Sequence, residues 1–207
     1  MRTLVVASQK GGVGKTTIAG HLAVMAESTG AGPGALIDTD PQGSLSSWWN
    51  ERQAETPAFA SVAIANLADH LKQLEKAGIK LAIIDTPPAV TETIRTVLAV
   101  ADLVLIPTRP SPHDLRAVGS TVELVEAAKK RMVFVINGAA QRAKITGEAA
   151  IALSQHGTVA PVTLYQRTDF AASMIDGRTA QEIDPTSRSA GEVTELWNYV
   201  FAQINKS

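Results

Sequence analysis

Apolar residues fall along this chain in two alternating patterns. Short continuous runs, such as Leu4-Val5-Val6-Ala7, Leu81-Ala82-Ile83-Ile84, Leu103-Val104-Leu105-Ile106 and Met132-Val133-Phe134-Val135-Ile136, suit strands buried on both faces. Between them apolar positions recur at helical spacing, as in Val62, Ile64, Leu67, Leu71 and Leu74. The pattern predicts strands at 3–7, 35–38, 81–84, 102–107 and 132–136, with a short one near 159–164. Helices are expected over 16–28, 62–77, 113–129, 146–155 and 190–204, with a flexible turn at 30–34 and a loop from Gly138 to Lys144. This alternation predicts an α/β fold with a mostly parallel central sheet covered by helices on both faces. No repeat, low-complexity tract or linker interrupts it, so one domain over 1–207 is expected.

Composition narrows the chemistry. The 207 residues include no cysteine, which excludes disulfides, iron–sulfur clusters and thiol catalysis. His21, His70, His113 and His156 are scattered without ligand spacing, so no transition-metal site is expected. The formal net charge of −1 argues against a strongly basic nucleic-acid binder but leaves room for a local patch. No apolar run approaches membrane-spanning length and no secretory leader is visible, so a cytoplasmic location is expected.

The run Lys10-Gly11-Gly12-Val13-Gly14-Lys15-Thr16-Thr17 sits between the first expected strand and the first expected helix. In that context it is a phosphate loop: small residues let backbone N–H groups curl around phosphates, and the helix N-terminus adds partial positive charge. Lys15 is expected to reach the β- and γ-phosphates of a nucleoside triphosphate, and the Thr16 hydroxyl to ligate Mg²⁺. Asp85 closes an apolar strand and precedes Thr86-Pro87-Pro88, the placement of a carboxylate that holds Mg²⁺ through water. Asp38 and Asp40 would point the same way if their strand continued, converging on the metal and the attacking water. The bland alternative for that pair is a solvated turn before a helix. Lys10 stays open between a solvated surface lysine and a cation that crosses a two-fold interface to a facing subunit's phosphates.

These motifs resemble the deviant Walker A, switch and Walker B motifs of the ParA/MinD superfamily of partition and positioning ATPases. Lys10–Thr17, Asp38–Ser44 and Ile83–Pro88 carry the likeness, and Pro107–Ser111, Val135–Asn137 and Arg167–Gly177 extend it over nearly the whole chain. The short ParA type, without an N-terminal DNA-binding domain, is the nearest pattern. The resemblance implies a three-layer α/β/α phosphate-loop fold and ATP hydrolysis with Mg²⁺ by a face-to-face homodimer. In that scheme Gly11, Gly12, Val13, Gly14, Lys15, Thr16 and Thr17 cradle the phosphates and Lys10 acts in trans. Asp40 orients the water, and Asp38 and Asp85 support the metal's outer shell. Asn137 and the segment from Pro161 hold adenine, and Arg167 lies near the nucleotide or the dimer surface.

The same resemblance implies non-specific binding of the ATP dimer to double-stranded DNA, a nucleoid location in that state, and stimulation by a ParB-like or cargo-adaptor partner. Expected phosphate contacts are Lys129, Lys130, Arg131, Arg142, Lys144, Arg178 and Arg188, although residues 109–207 hold 11 Lys and Arg against 10 Asp and Glu. The Lys129–Arg131 run equally suits the C-terminus of a helix. Partition of plasmid or chromosomal DNA is the leading expectation, with positioning of a chemoreceptor cluster or microcompartment as the alternative. A MinD-like membrane association is disfavoured. The last helix has an apolar face (Val193, Leu196, Trp197, Val200, Phe201, Ile204) but is flanked by Glu192 and Glu195, with only Lys206 as a basic residue, so packing on the sheet is expected. A metabolic synthetase on the same fold would not need Lys10.

Overall fold

The computed structural model describes residues 1–88 and 92–206. Seven strands form one wholly parallel sheet: β1 (Arg2–Val6), β2 (Gly34–Asp38), β3 (Ala58–Phe59), β4 (Leu81–Asp85), β5 (Leu103–Thr108), β6 (Met132–Ala139) and β7 (Thr158–Tyr165). Their order across the sheet is β3-β2-β4-β1-β5-β6-β7, so β1 lies at the centre between β4 and β5. The register sets Val6 and Asp38 each beside Asp85, which brings three strand ends together at one edge. In such sheets ligands bind beyond the C-terminal strand ends.

Helices cover both faces, because the central strands β1, β4 and β5 bury residues on both sides. One face carries α1 (Lys15–Ser28), α2 (Ser44–Glu51) and α9 (Arg188–Ile204), whose Leu22, Trp48 and Trp197 pack with Leu4, Leu36 and Leu105. On the other face α3 (Leu67–Lys76), α4 (Glu92–Ala99), α5 (Pro112–Ala127) and α6 (Lys144–Ser154) pack against Val5, Ile84, Val104 and Phe134. The three-layer α/β/α arrangement expected from the apolar pattern is the one observed. The last helix lies on the sheet as expected: Val193, Leu196, Trp197, Val200 and Ile204 are buried, and only Phe201 of its apolar face is exposed.

Several elements depart from the sequence reading. Val62 and Ile64 precede the helix assigned to them; a single 3₁₀ turn at Ile64–Asn66 leads into α3. The loop expected at Gly138 begins later, because β6 runs on to Ala139 through a bulge against β7. Four short helices were not expected: α2, α4, α7 (Thr168–Ser173) and α8 (Ala180–Ile183). Each spans eight residues or fewer, so each offers too few turns for a periodicity of 3.6 to declare itself. Among the described residues no helix is long and apolar enough to cross a membrane.

Candidate functional site

A cavity of about 600 Å³ opens at the C-terminal edge of the sheet, and the glycine loop forms one end of it. The loop leaves β1, passes Gly12 at φ 73° and Gly14 at φ 91°, and enters α1 at Lys15. Both glycines occupy left-handed backbone that a side chain resists. Gly14 is doubly constrained, since a Cβ there would stand 2.3 Å from the Asn137 amide nitrogen. Lys15 is 7% exposed, and its ammonium donates to the Lys10 carbonyl at 3.3 Å. Burial lowers its pKa, while the charges of Asp85 and Asp40 pull it back up. It is a cation held on the cavity wall with no direct carboxylate partner among the described residues.

Asp85 is the buried anion of the site. Its Oδ2 accepts from the Thr16 hydroxyl at 2.5 Å, and its Oδ1 is buried without a partner among the described residues. Burial pushes its pKa up to about 7; the Thr16 hydrogen bond and Lys15 oppose that rise, and the Asp38 and Asp40 charges add to it. An orphaned carboxylate oxygen beside a hydroxyl and an ammonium fits a hard divalent cation that arrives with phosphate oxygens. Among the described residues no three acidic or histidine side chains form a cage of their own. Such a donor set suits a cation whose remaining ligands come from water and substrate.

Asp38 and Asp40 part company. β2 stops at Asp38, after which the Thr39 amide and hydroxyl both bond the Asp85 carbonyl. Asp38 turns to its own chain: it accepts from the Asp40 amide at 3.0 Å and from the Ser46 amide and hydroxyl at 2.9 and 3.0 Å. It thereby supplies the missing cap of α2, whose N-terminal Gly43 has no side chain. Asp40 faces the cavity, with Oδ1 held by the Gln42 amide at 3.0 Å. β2 does not continue past Asp38, so strand geometry does not align the two carboxylates, although the charges of both act on Asp85.

The other end of the cavity is built from Asn137 and Gly138, from Leu164 to Arg167 at the end of β7, and from Phe170 and Met174 around α7. The Asn137 amide donates to the Val13 carbonyl at 2.6 Å, so it braces the glycine loop. Pro161 stands outside: it is exposed in the middle of β7, three residues before Leu164 reaches the cavity. The expected segment therefore enters the site only at its C-terminal part, as parallel strands require. Arg167 lines the cavity, but its guanidinium is paired with Glu192 of α9, which also accepts from the Tyr165 amide. Hydrogen bonds from that pair raise the Arg167 pKa further.

Lys10 is exposed at the start of the loop, and its ammonium makes no hydrogen bond among the described residues. The basic residues named as phosphate contacts do not form one surface. Lys129, Lys130 and Arg131 follow α5 at the N-terminal edge of the sheet, where Arg131 bonds the Gln203 carbonyl near the end of α9. Arg142, Lys144 and Arg188 lie beyond the opposite edge, and Arg178 is paired with Asp176. Residues that sequence reasoning passed over include Arg109, Gln166 and Phe170 on the cavity wall, and His21 buried beneath it. Arg109 and Phe170 fall within the recognised segments Pro107–Ser111 and Arg167–Gly177, but nothing in the pattern marked them as cavity-wall residues.

A glycine loop at the end of the central strand, a buried lysine and a strand-end aspartate define a phosphate-loop nucleoside triphosphatase. The family model described as the CobQ/CobB/MinD/ParA nucleotide binding domain matches residues 4–180. The chain belongs to this family and is a ParA/MinD-type ATPase. It is 30% identical over 208 residues to the maintenance of carboxysome distribution protein A of Halothiobacillus neapolitanus, a match covering 96% of this chain and 95% of that protein. It is also 30% identical to protein ParA of Rhizobium radiobacter, over 83% of this chain and 82% of that one. The septum site-determining protein MinD of Pyrococcus horikoshii, complexed with Mg-ADP, shares the fold with a TM-score of 0.80 at 17% identity, over 96% of this chain and 95% of that one.

Proposed function

We propose that this ATPase positions a large protein assembly, with a microcompartment as its cargo. The observation that carries the reading is the full-length similarity to a relative named for carboxysome distribution. Partition of plasmid or chromosomal DNA is the second reading, favoured by the similarity to ParA of Rhizobium radiobacter. Both share one engine.

In that engine ATP enters the cavity with Mg²⁺. Lys15 and the loop amides hold the phosphates, and the Thr16 hydroxyl and Asp85 hold the metal side. Mg²⁺ supplies charge neutralisation on the phosphate oxygens. Asp40 orients the hydrolytic water, and Asp38 sets the loop that carries it. The exposed ammonium of Lys10 reaches the phosphates of a second copy across a face-to-face dimer. The ATP dimer rides non-specific double-stranded DNA on the nucleoid in the cytoplasm, and an adaptor on the cargo stimulates hydrolysis and release. A DNA surface drawn from Arg142, Lys144, Arg178 and Arg188 lies beyond the same sheet edge as the nucleotide, whereas Lys129, Lys130 and Arg131 lie at the opposite edge.

The decisive experiment deletes the gene in its own host and images both candidate cargoes. Clumping of microcompartments with unchanged plasmid retention and chromosome content supports the first reading. Plasmid loss or DNA-free cells, with evenly spaced microcompartments, establishes the second.

A further inference from the structure

α2 joins two parts of the molecule that the phosphate-loop motifs leave separate. At its start it is bonded to the loop that carries Asp40: the Gly43 amide donates to the Asp40 carbonyl at 2.9 Å, and Ser46 holds Asp38. At its end stands Arg52, whose side chain is only 4% exposed. Its Nη1 donates to the Gly177 carbonyl at 2.7 Å and to Glu182 Oε2 at 2.9 Å. Its Nη2 donates to Glu182 Oε1 at 2.6 Å and its Nε to the Thr56 carbonyl at 2.8 Å. One turn earlier the Trp48 indole N–H donates to the carbonyls of Ser173 and Arg178, both at 3.2 Å, and its ring lies 5.6 Å from the guanidinium.

The segment so gripped is the wall of the nucleotide cavity. Phe170 and Met174 line the cavity; Ser173 lies between them, and Gly177 and Glu182 follow Met174 after three and eight residues. Gly177 has φ 74°, and a Cβ there would lie 2.3 Å from the Arg52 amide nitrogen, so backbone meets backbone at this contact. Glu182 is itself fixed, because the Thr179 amide and hydroxyl donate to it at 2.8 and 3.0 Å. The Arg52 side chain is buried and Glu182 stands partly exposed at the rim. A bidentate pair whose guanidinium also bonds two carbonyls is held in one geometry, unlike a single-contact surface ion pair. α2 buries Leu45 and Trp48 of its own, and this joint adds a fixed point at its C-terminal end.

We propose that Arg52 is a positioning residue for ATP hydrolysis: acting through α2, it ties the Asp40 loop to the Phe170–Met174 wall of the nucleotide cavity. The proposal rests on the reading of Asp40 as the carboxylate that orients water. Through this joint the wall at the base end of the cavity and the hydrolytic loop move as one body. A nucleotide that seats against Phe170 and Met174 thereby sets the loop that carries the reaction.

The test is single-turnover hydrolysis at saturating ATP and Mg²⁺, with ATP affinity measured separately. Arg52→Met keeps a side chain over Trp48 but removes every donor. Its rate should fall between about 10- and 100-fold, the cost of a small misplacement, with affinity held within about twofold. Arg52→Lys should recover part of the rate, and Glu182→Gln should show a smaller loss of the same kind; these two also serve if Arg52→Met does not fold. A wild-type rate in all three variants, or parallel losses of rate and affinity, overturns the positioning role. Asp40→Ala run alongside separates the failures: slow hydrolysis there with normal rates at position 52 sinks the joint alone, while a normal rate there sinks the reading beneath it.

Discussion

The two ends of the nucleotide cavity are made by different means. At the phosphate end, residues 11–17 are contiguous in sequence, and the backbone does most of the shaping through two left-handed glycines and a helix start. At the far end, Asn137, Tyr165, Phe170 and Met174 come from β6, β7 and α7, and their positions depend on bonds to distant partners. His21 receives the Ala180 amide across 159 residues, and Trp48 reaches Ser173 across 125. A site assembled locally survives changes elsewhere in the fold. One assembled by long-range bonds reports on them. The charge chemistry therefore sits where the chain can hold it unaided, and the coupling sits where it cannot.

The sharpest break between the two ends is expected at Lys15. Lys15→Ala removes the buried ammonium from the cavity wall and leaves the far end untouched. Titration calorimetry should show ATP affinity falling at least about 100-fold, roughly 3 kcal/mol, in line with loss of a charge-assisted contact to phosphate. Retained affinity would mean that the far end dominates binding.

Gly14→Ala probes the contact between the ends. The new methyl meets both the left-handed backbone and the Asn137 amide at 2.3 Å, so unfolding stability should drop by about 2–3 kcal/mol. In an Asn137→Ala background only the backbone cost remains, and the same substitution should cost about 1–2 kcal/mol. Equal costs in the two backgrounds, read from urea midpoints, would remove Asn137 as the brace.

What could be read from the chain follows the same division. Strands β1, β2, β4, β5 and β6 declared themselves because each is buried on both faces and therefore continuously apolar, whereas the two-residue β3, largely unburied, was not expected. The glycine loop, Lys15, Thr16 and Asp85 were legible because phosphate chemistry fixes their spacing within a few residues of a strand end. Asp38 was legible as a strand-end carboxylate but not as the cap of α2, since its partner Ser46 has no pattern that points back to it. Pro161 was placed in the site by the family resemblance, and only the later part of that segment, from Leu164, reaches the cavity. α7 and α8 stayed invisible: together they present few buried side chains, and what holds them is carbonyl bonding to Trp48 and Arg52.

His21 offers the finest test of the long-range end. Its Nδ1–H donates to the Thr17 carbonyl at 2.7 Å, and its Nε2 accepts from the Ala180 amide at 3.1 Å, which fixes the neutral ring in one tautomer. Phe170 packs edge-on at 5.4 Å. Burial drives the pKa down to about 4, against small opposing effects from the Thr17 carbonyl and Glu182. The unfolded chain takes up its proton near pH 6.5 and the folded one only near 4. Protonation therefore favours unfolding, and this contribution is complete above pH 6.5 and lost as pH falls toward 4. Asp85 acts with the opposite sign, because its raised pKa makes the folded state the better proton acceptor below about 7. Comparing wild type with His21→Gln cancels that shared contribution. Between pH 7.5 and 5.5 the wild type should lose about 1.5 kcal/mol more than the variant, measured by urea unfolding without nucleotide. Parallel profiles would show that the ring can be protonated in place. Ala180 would then have another way to hold α8 against α1, and the far end of the cavity would be less dependent on distant bonds than its geometry implies.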